Sequence, residues 1–105
     1  MSRPPLLDEK NYSYWKSKMI AFLRSVDTKT WKAVLTGWKA PEHANGIVKM
    51  EVEWSPAEEE LALGNHRALN AIFNGVDPSV FKMISTCVEA KEAWEILQTN
   101  YEGTT

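Results

Sequence analysis

Apolar side chains recur at gaps of three and four residues in two segments, one near each end of the chain. The first segment runs from about Tyr12 to Arg24, and its apolar pattern comprises Tyr12, Trp15, Met19, Phe22, Leu23 and Val26. The second runs from Glu89 to Tyr101, and its apolar pattern comprises Ala90, Ala93, Trp94, Leu97 and Tyr101. This spacing places the apolar residues on one face of an α-helix. We therefore predict two amphipathic helices whose apolar faces pack together or against a shared partner.

Capping residues mark the ends of the first helix and of a short second helix. Asn11 or Ser13 is expected to cap the first helix, because a side-chain oxygen there satisfies an unpaired backbone amide. Asp27 and Thr28 then begin a second helix, and Gly37 lies at its predicted C-terminal cap. The inward positions of this second helix are Trp31, Val34 and Leu35.

Similar signals predict three helices in the second half of the chain. The segment Ser55 to Glu58 reads as a capping box with proline at the first helical position. The segment Asp77 to Ser79 begins a fourth helix, and Thr86 with Glu89 predicts a second capping box before the last helix. The inward positions of the third and fourth helices are Leu61, Ala68, Leu69, Ile72, Phe73, Val76, Phe81 and Ile84.

A long connection from Lys39 to Trp54 interrupts this helical pattern, and such connections are usually functional. Asn45-Gly46 is a turn signal. After it, Val48, Met50, Val52 and Trp54 alternate with charged residues, which predicts a short half-buried edge strand. We expect this strand to pack on the chain's own helices, and pairing with another chain is the alternative.

The predicted fold is all-α: a compact bundle of about five short helices with one long loop that carries the short edge strand. Residues 1–10 form an extended lead, because Pro4-Pro5 prevents a helix start and Leu6-Leu7 can hold the lead against the body. Residues 11–105 form a single helical domain.

Composition supports one folded domain. The chain has 105 residues and a mass of 11.9 kDa, with 44% hydrophobic residues and five tryptophans, which argues against disorder. A lone Cys87 excludes an internal disulfide and a thiolate metal cage. No apolar run approaches the roughly 20 residues of a membrane helix, and the first ten residues do not resemble a signal peptide. We expect a soluble, cytoplasmic protein.

The charges are unevenly distributed along the chain. Through residue 50 there are nine basic and four acidic residues, a net charge of +5, and from Glu51 onward three basic and ten acidic residues give −7. Such a bipolar module can attract the opposite pole of another copy, head to tail. The alternative is that both poles are solvated helix faces.

Candidate chemistry is sparse. His43 and His66 are the only imidazoles, and their spacing matches no metal motif. Cys87 is expected to be a small buried thiol, and the acids from Glu58 to Glu60 complement the dipole of a helix N-terminus. No glycine-rich phosphate loop is present in the sequence. We expect no enzymatic activity, no metal and no cofactor.

Aromatic residues supply both the expected core and the expected contact surface. The anchors of the core are Tyr12, Trp15, Phe22, Trp31, Phe73, Trp94, Leu97 and Tyr101. Trp38 follows a helix stop and Trp54 ends the alternating segment, so these two tryptophans are expected to be partly exposed. Together with Val48 and Met50 they are the candidate interface residues.

Three segments occur in a fixed order along the chain. The first is Arg3 to Asp8 followed by Asn11 to Trp15, the second is Trp31 to Trp38, and the third is Ala90 to Leu97 followed by Tyr101 to Thr104. These three signatures resemble the Gag polyprotein of copia-type LTR retrotransposons of plants. The resemblance covers nearly the whole chain. It implies a helical fold similar to the amino-terminal lobe of retroviral capsids, and a structural protein that multimerises around RNA.

The sequence departs from a full Gag because it stops at Thr105. The second capsid lobe and the Cys-Cys-His-Cys zinc knuckle of the family are not in this chain. We therefore expect RNA binding only through regions missing here, and weak self-association of this lobe. An excised lobe and a domesticated copy both fit this departure.

Two further functions stay open beside that of a self-associating structural Gag module. A domesticated lobe would recognise a host or pathogen protein through a groove between helices or through the segment Val48 to Trp54. RNA binding by the basic half of the chain would give a steep dependence of affinity on salt.

Overall fold

Five α-helices account for most of the chain, and the all-α prediction is confirmed. The computed structural model describes residues 3–103. The helices are α1 (Tyr12–Val26), α2 (Thr28–Thr36), α3 (Pro56–Asn74), α4 (Pro78–Ile84) and α5 (Ala90–Glu102), with a single 3-10 turn at Glu51–Glu53. Thr104 of the third signature and Thr105 lie outside the described residues, as do Met1 and Ser2 of the lead. The described part extends 45 × 31 × 25 Å along its principal axes.

Side-chain caps begin three of the five helices as the sequence predicts. The Asp27 carboxylate accepts a hydrogen bond from the Thr30 amide at 2.7 Å at the start of α2. Ser55 and Glu58 exchange the two hydrogen bonds of a capping box at the start of α3. Asp77 accepts from the Val80 amide at the start of α4. These bonds satisfy amides that have no partner inside the helix.

The expected caps of α1 and α5 are wrong. Asn11 precedes α1, but its side chain bonds the lead instead, donating to the Leu6 carbonyl and accepting from the Asp8 amide. Helix α5 begins at Ala90, and Thr86 with Glu89 forms no capping box. The first amide of α5 donates to the Asn65 side chain of α3 at 2.8 Å. A tertiary contact therefore replaces a local one.

The lead lies on the body through one of its two leucines. Leu7 is fully buried and forms an isolated parallel bridge with Val76, where its amide donates to the Gly75 carbonyl at 2.7 Å. Leu6 is exposed. The expectation that this pair holds the extended lead against the helices is met by Leu7 alone.

Helix α2 lies at the centre of the packing, in contact with α1, α3 and α5. Gly64 of α3 permits the closest approach, because a Cβ at this position would lie 2.8 Å from the backbone oxygen of Lys29. At the other end of α2, Gly37 has φ of 79°, a left-handed conformation that favours glycine, and ends the helix as predicted.

Among residues 3–103 there is no strand longer than an isolated bridge, so the predicted edge strand is wrong. The turn at Asn45-Gly46 is confirmed: it closes a small loop in which Val48 pairs with Glu42, and the His43 amide donates to the Ile47 carbonyl. Beyond it, the Glu53 carboxylate accepts from the Met50 amide at 2.8 Å and the chain coils into the 3-10 turn. Such local bonds compete with pairing in a sheet.

Candidate interaction surfaces

The aromatic residues of α1, α2 and α5 form one continuous cluster inside the bundle. The Trp15 and Trp94 rings lie 5.7 Å apart, and Trp31 meets Trp94 edge to face at 6.0 Å. Tyr12 stacks on Tyr101 at 4.9 Å. The apolar faces of α1 and α5 therefore meet, as predicted, through direct contacts between their aromatic rings.

The predicted core anchors differ in how far they are covered. Three of them, Trp15, Trp94 and Leu97, are buried. The other five are half-buried and pack against the core, namely Tyr12, Phe22, Trp31, Phe73 and Tyr101. The Tyr12 hydroxyl donates a hydrogen bond to the Glu102 carboxylate at 2.6 Å. Burial and this carboxylate raise the pKa of Tyr12. This contact holds the end of α5 against α1.

Six residues expected on a buried or half-buried face lie on the surface instead. They are Val26, Leu35, Leu61 and, as part of the predicted edge strand, Val48, Met50 and Val52. Phe81 is only half-buried, while its neighbour Val80 is fully buried.

Trp38 and Trp54 form a separate aromatic pair beside α3. Both are half-buried, and their rings meet edge to face at 6.1 Å, with the His66 ring 5.7 Å from Trp38. The Trp38 amide donates to the Glu89 carboxylate at 2.9 Å, which ties the end of α2 to the start of α5. The two tryptophans therefore hold the long connection against the bundle.

Four exposed apolar side chains lie between this pair in the sequence, on one short segment that we call the apolar arm: Ile47, Val48, Met50 and Val52. Their exposed fractions are 63%, 57%, 65% and 87%. Val48 and Met50 are candidate interface residues of the sequence analysis, Val52 belongs to its recognition segment Val48 to Trp54, and Ile47 was not predicted. The arm is held by Lys49, whose amide donates to the Pro41 carbonyl and whose ammonium group bonds the Glu58 carboxylate at 3.1 Å.

A groove of about 480 Å³ runs between α2 and the start of α3, and we call it the basic groove. Ala33, Trp38 and Leu61 line its apolar part, and Lys32 and Lys39 lie on its edge. Neither lysine forms an ion pair with a residue of the described range. The groove therefore combines exposed apolar area with uncompensated positive charge.

A second depression lies along α4 and α5 and carries negative charge, and we call it the acidic face. Met83 and Ile96 supply its apolar area, and Glu92 and Glu95 supply its charge. Both glutamates are exposed and unpaired within residues 3–103. No residue lines both this face and the basic groove.

Many of the remaining charges pair within the molecule. Lys16 bonds Glu102 at 2.7 Å and Lys29 bonds Glu60 at 2.7 Å, so basic residues of the first half meet acids of the second half. Lys49 pairs with Glu58 in the same way. The bipolar pattern of the sequence is thus partly neutralised by folding, and Lys32, Lys39, Glu92 and Glu95 are among the charges that form no ion pair within residues 3–103.

The remaining candidate groups are dispersed. His43 lies 3.3 Å from Glu53 in the long connection, while His66 lies beside Trp38. Cys87 is buried, and burial together with the Glu92 carboxylate raises the pKa of its thiol to about 12. Among residues 3–103, no three His, Cys, Asp or Glu side chains come together as a metal site. None of the helices in this range is long and apolar enough to cross a membrane.

Comparisons of the chain with family models, with curated proteins and with solved structures give no match.

Proposed function

We propose that this chain is a structural, Gag-type module of a copia-type retrotransposon, whose role is to associate with other copies of itself. The three ordered sequence signatures support this assignment, and the all-α bundle is the class of fold that they imply. The observation that carries the proposal is the apolar arm, which presents four large apolar side chains to solvent on six consecutive positions. No catalytic step is part of the proposed role.

The size of the arm predicts weak contacts between single copies. Fully burying an apolar side chain of this size contributes about 1.5–3 kcal/mol, so four of them contribute at most roughly 6–12 kcal/mol. Association itself costs about 4–15 kcal/mol in lost freedom of motion. The two amounts nearly cancel for one pair. Many copies held in one particle would still assemble, because multivalency strengthens weak contacts.

Assembly in the cytoplasm is part of the proposal, since a chain whose only cysteine is a buried free thiol suits a reducing compartment. In this proposal, RNA is bound by other regions of the Gag polyprotein. Lys16, Lys29 and Lys49 of the basic half are engaged with carboxylates of the same chain.

Sedimentation velocity over a wide concentration range tests the proposal. The mean mass of the wild type should rise with concentration, and the double variant M50S/V52S should shift this rise to higher concentration. The control L6S/V88S removes two other exposed apolar side chains and should sediment like the wild type. A wild type that stays monomeric up to about 1 mM, where contacts of about 4 kcal/mol become visible, would refute self-association.

A domesticated module that recognises a host or pathogen protein is the second candidate, favoured by the same exposed arm. In that case the chain would remain monomeric and a purified partner would bind it through Val52. Val52→Ser is the suitable test variant. Trp54 is unsuitable, because its ring packs on Trp38 and its loss would disturb the bundle.

A further inference from the structure

The basic groove and the acidic face have complementary charge and similar apolar character. The groove carries Lys32 and Lys39 around Leu61, and the acidic face carries Glu92 and Glu95 around Ile96. All four charged side chains are exposed and lack an ion-pair partner in the described part of the chain. The unpaired positive charges of the groove could thus pair with the unpaired negative charges of the acidic face.

We propose that the acidic face of one copy binds the basic groove of another copy. This inference rests on the proposed self-association and adds two contact surfaces to the apolar arm. Ile96 and Met83 would cover Leu61 and Trp38, while the two glutamates would reach the two lysines that line the groove. Covering the apolar area contributes affinity, and the charge pairs set orientation and suppress wrong pairings.

Since the two surfaces are different parts of the molecule, the contact is heterologous. After the first contact forms, one copy still has a free groove and the other copy still has a free acidic face. Such head-to-tail contacts propagate into a ring when the rotation closes and into a filament when it does not. A closed symmetric dimer forms only if both groove–acidic-face contacts are made at the same time about one two-fold axis.

Two other charged residues that line the groove are already engaged in ion pairs. Lys29 lines the groove but pairs with Glu60, and Glu58 lines it but pairs with Lys49. Among the residues that line the groove, Lys32 and Lys39 are therefore the charges without an ion-pair partner, and the Glu89 carboxylate beside Gly37 is held by the Trp38 amide. On α5, Lys91 lies on the side of Gly37 and does not line the acidic face.

Charge reversal with recombination tests the proposal. The double variants K32E/K39E and E92K/E95K each place like charges on both surfaces, so each alone should associate at least about tenfold more weakly than the wild type. An equimolar mixture of the two variants restores opposite charges at every contact. We expect this mixture to regain association close to that of the wild type in sedimentation velocity.

Matched controls separate the effect of the two surfaces on association from the effect of net charge. K10E/K18E and E9K/E59K change the net charge by the same amounts at exposed positions outside both surfaces and outside the apolar arm, and should associate like the wild type. Circular dichroism of every variant verifies that the helices are retained.

The outcomes distinguish this inference from the proposed function. If the wild type associates and both reversed variants associate equally well, or if their mixture recovers nothing, the assignment of these surfaces is overturned while self-association stands. If the wild type does not associate at any concentration, the proposed function and this inference both fail.

Discussion

Trp15 connects three parts of the molecule through one side chain. It is 1% exposed, its ring lies against Trp94 of α5, and its indole nitrogen donates to the carbonyls of Gly75 and Pro5 at 2.8 and 3.1 Å. The same residue thus holds the lead, the loop after α3 and the last helix. Helical spacing predicts its burial, but the hydrogen bonds join residues 60 and 10 positions apart and have no local signal.

Replacing Trp15 with alanine should lower the free energy of unfolding by about 3–5 kcal/mol, because a large buried ring is lost and a cavity remains. Trp15→Phe keeps most of the ring and loses the hydrogen bonds, so it should cost about 1–3 kcal/mol. Urea denaturation followed by circular dichroism measures both.

Tyr14→Ala is the matched control, because Tyr14 is the neighbouring aromatic residue and is exposed. It should change stability by no more than about 0.5 kcal/mol. Equal losses for the Trp15 and Tyr14 variants would contradict the assignment of Trp15 to the core.

Residue-level predictions from the sequence are accurate at the centre of each apolar face and fail at its edges. Trp15, Met19 and Leu23 are buried, whereas Val26, Leu35 and Leu61 complete the same patterns and are exposed. Periodicity identifies the face of a helix but not how far a neighbouring helix extends over it. In a small bundle the edges of a face remain in contact with water.

Two polar residues were absent from the predicted core because their burial depends on tertiary partners. Asn65 is fully buried; it donates to the Val88 carbonyl and accepts from the Ala90 amide, both at 2.8 Å. An asparagine in the middle of a helix is usually solvent-exposed, so its type gives no sign of this role. Thr30 is buried as well.

At the scale of elements, the packing of α2 on α3 depends on Gly64. Alanine has a helix propensity about 1 kcal/mol better than glycine, yet Gly64→Ala should destabilise the protein. The added Cβ would lie 2.8 Å from the Lys29 backbone oxygen, so the two helices must separate. We expect a net loss of about 1 kcal/mol or more in chemical denaturation.

Asn70→Ala on the same helix is the control, since Asn70 is exposed. It should change the free energy of unfolding by less than about 0.5 kcal/mol. Stabilisation of the Gly64 variant would show that α2 and α3 are packed less closely than described.

The start of α2 should be sensitive to acid. The Thr30 amide, with the Arg67 guanidinium beside it, holds the pKa of Asp27 below its usual value of 3.8. The folded state therefore favours the charged carboxylate, and the resulting stabilisation is present above about pH 3.8 and lost as the pH falls through the lowered pKa.

Asp27→Asn keeps a capping oxygen but cannot pair with Arg67. It should cost about 0.2–1 kcal/mol at pH 7, since the pair is partly exposed, and the difference from the wild type should shrink below pH 3.8. Thermal denaturation between pH 2.5 and pH 7 measures this, at intervals of roughly half a unit. Glu59→Gln is the control, and a constant deficit for Asp27→Asn at every pH would count against the ion pair.

Element-level prediction succeeds where the signal is local. The caps at Asp27, Ser55 and Asp77 and the stop at Gly37 all act within a few residues, and the structure contains each of them. The edge strand failed because alternation records which side chains are apolar and not whether a partner strand exists. Because residues 3–103 offer this segment no partner strand, the local hydrogen bond from the Met50 amide to the Glu53 carboxylate determines its conformation.

At the scale of the whole molecule, folding rearranges the charges that look separated along the sequence. The ion pairs of Lys16, Lys29 and Lys49 join the basic half to the acidic half. Exposed pairs of this kind contribute little to stability, but they remove charge from the surface. The basic groove and the acidic face could not be predicted from the sequence, because their residues come from different helices.

Nuclear magnetic resonance of the labelled chain over a dilution series tests the central claim, that the aromatic core is internal and the outer surfaces bind other copies. On dilution, the amide signals of Val52, Leu61 and Ile96 should shift together, while the indole signals of Trp15 and Trp94 stay in place. Signals that do not move at any concentration, or indole signals that move with the rest, would contradict the account.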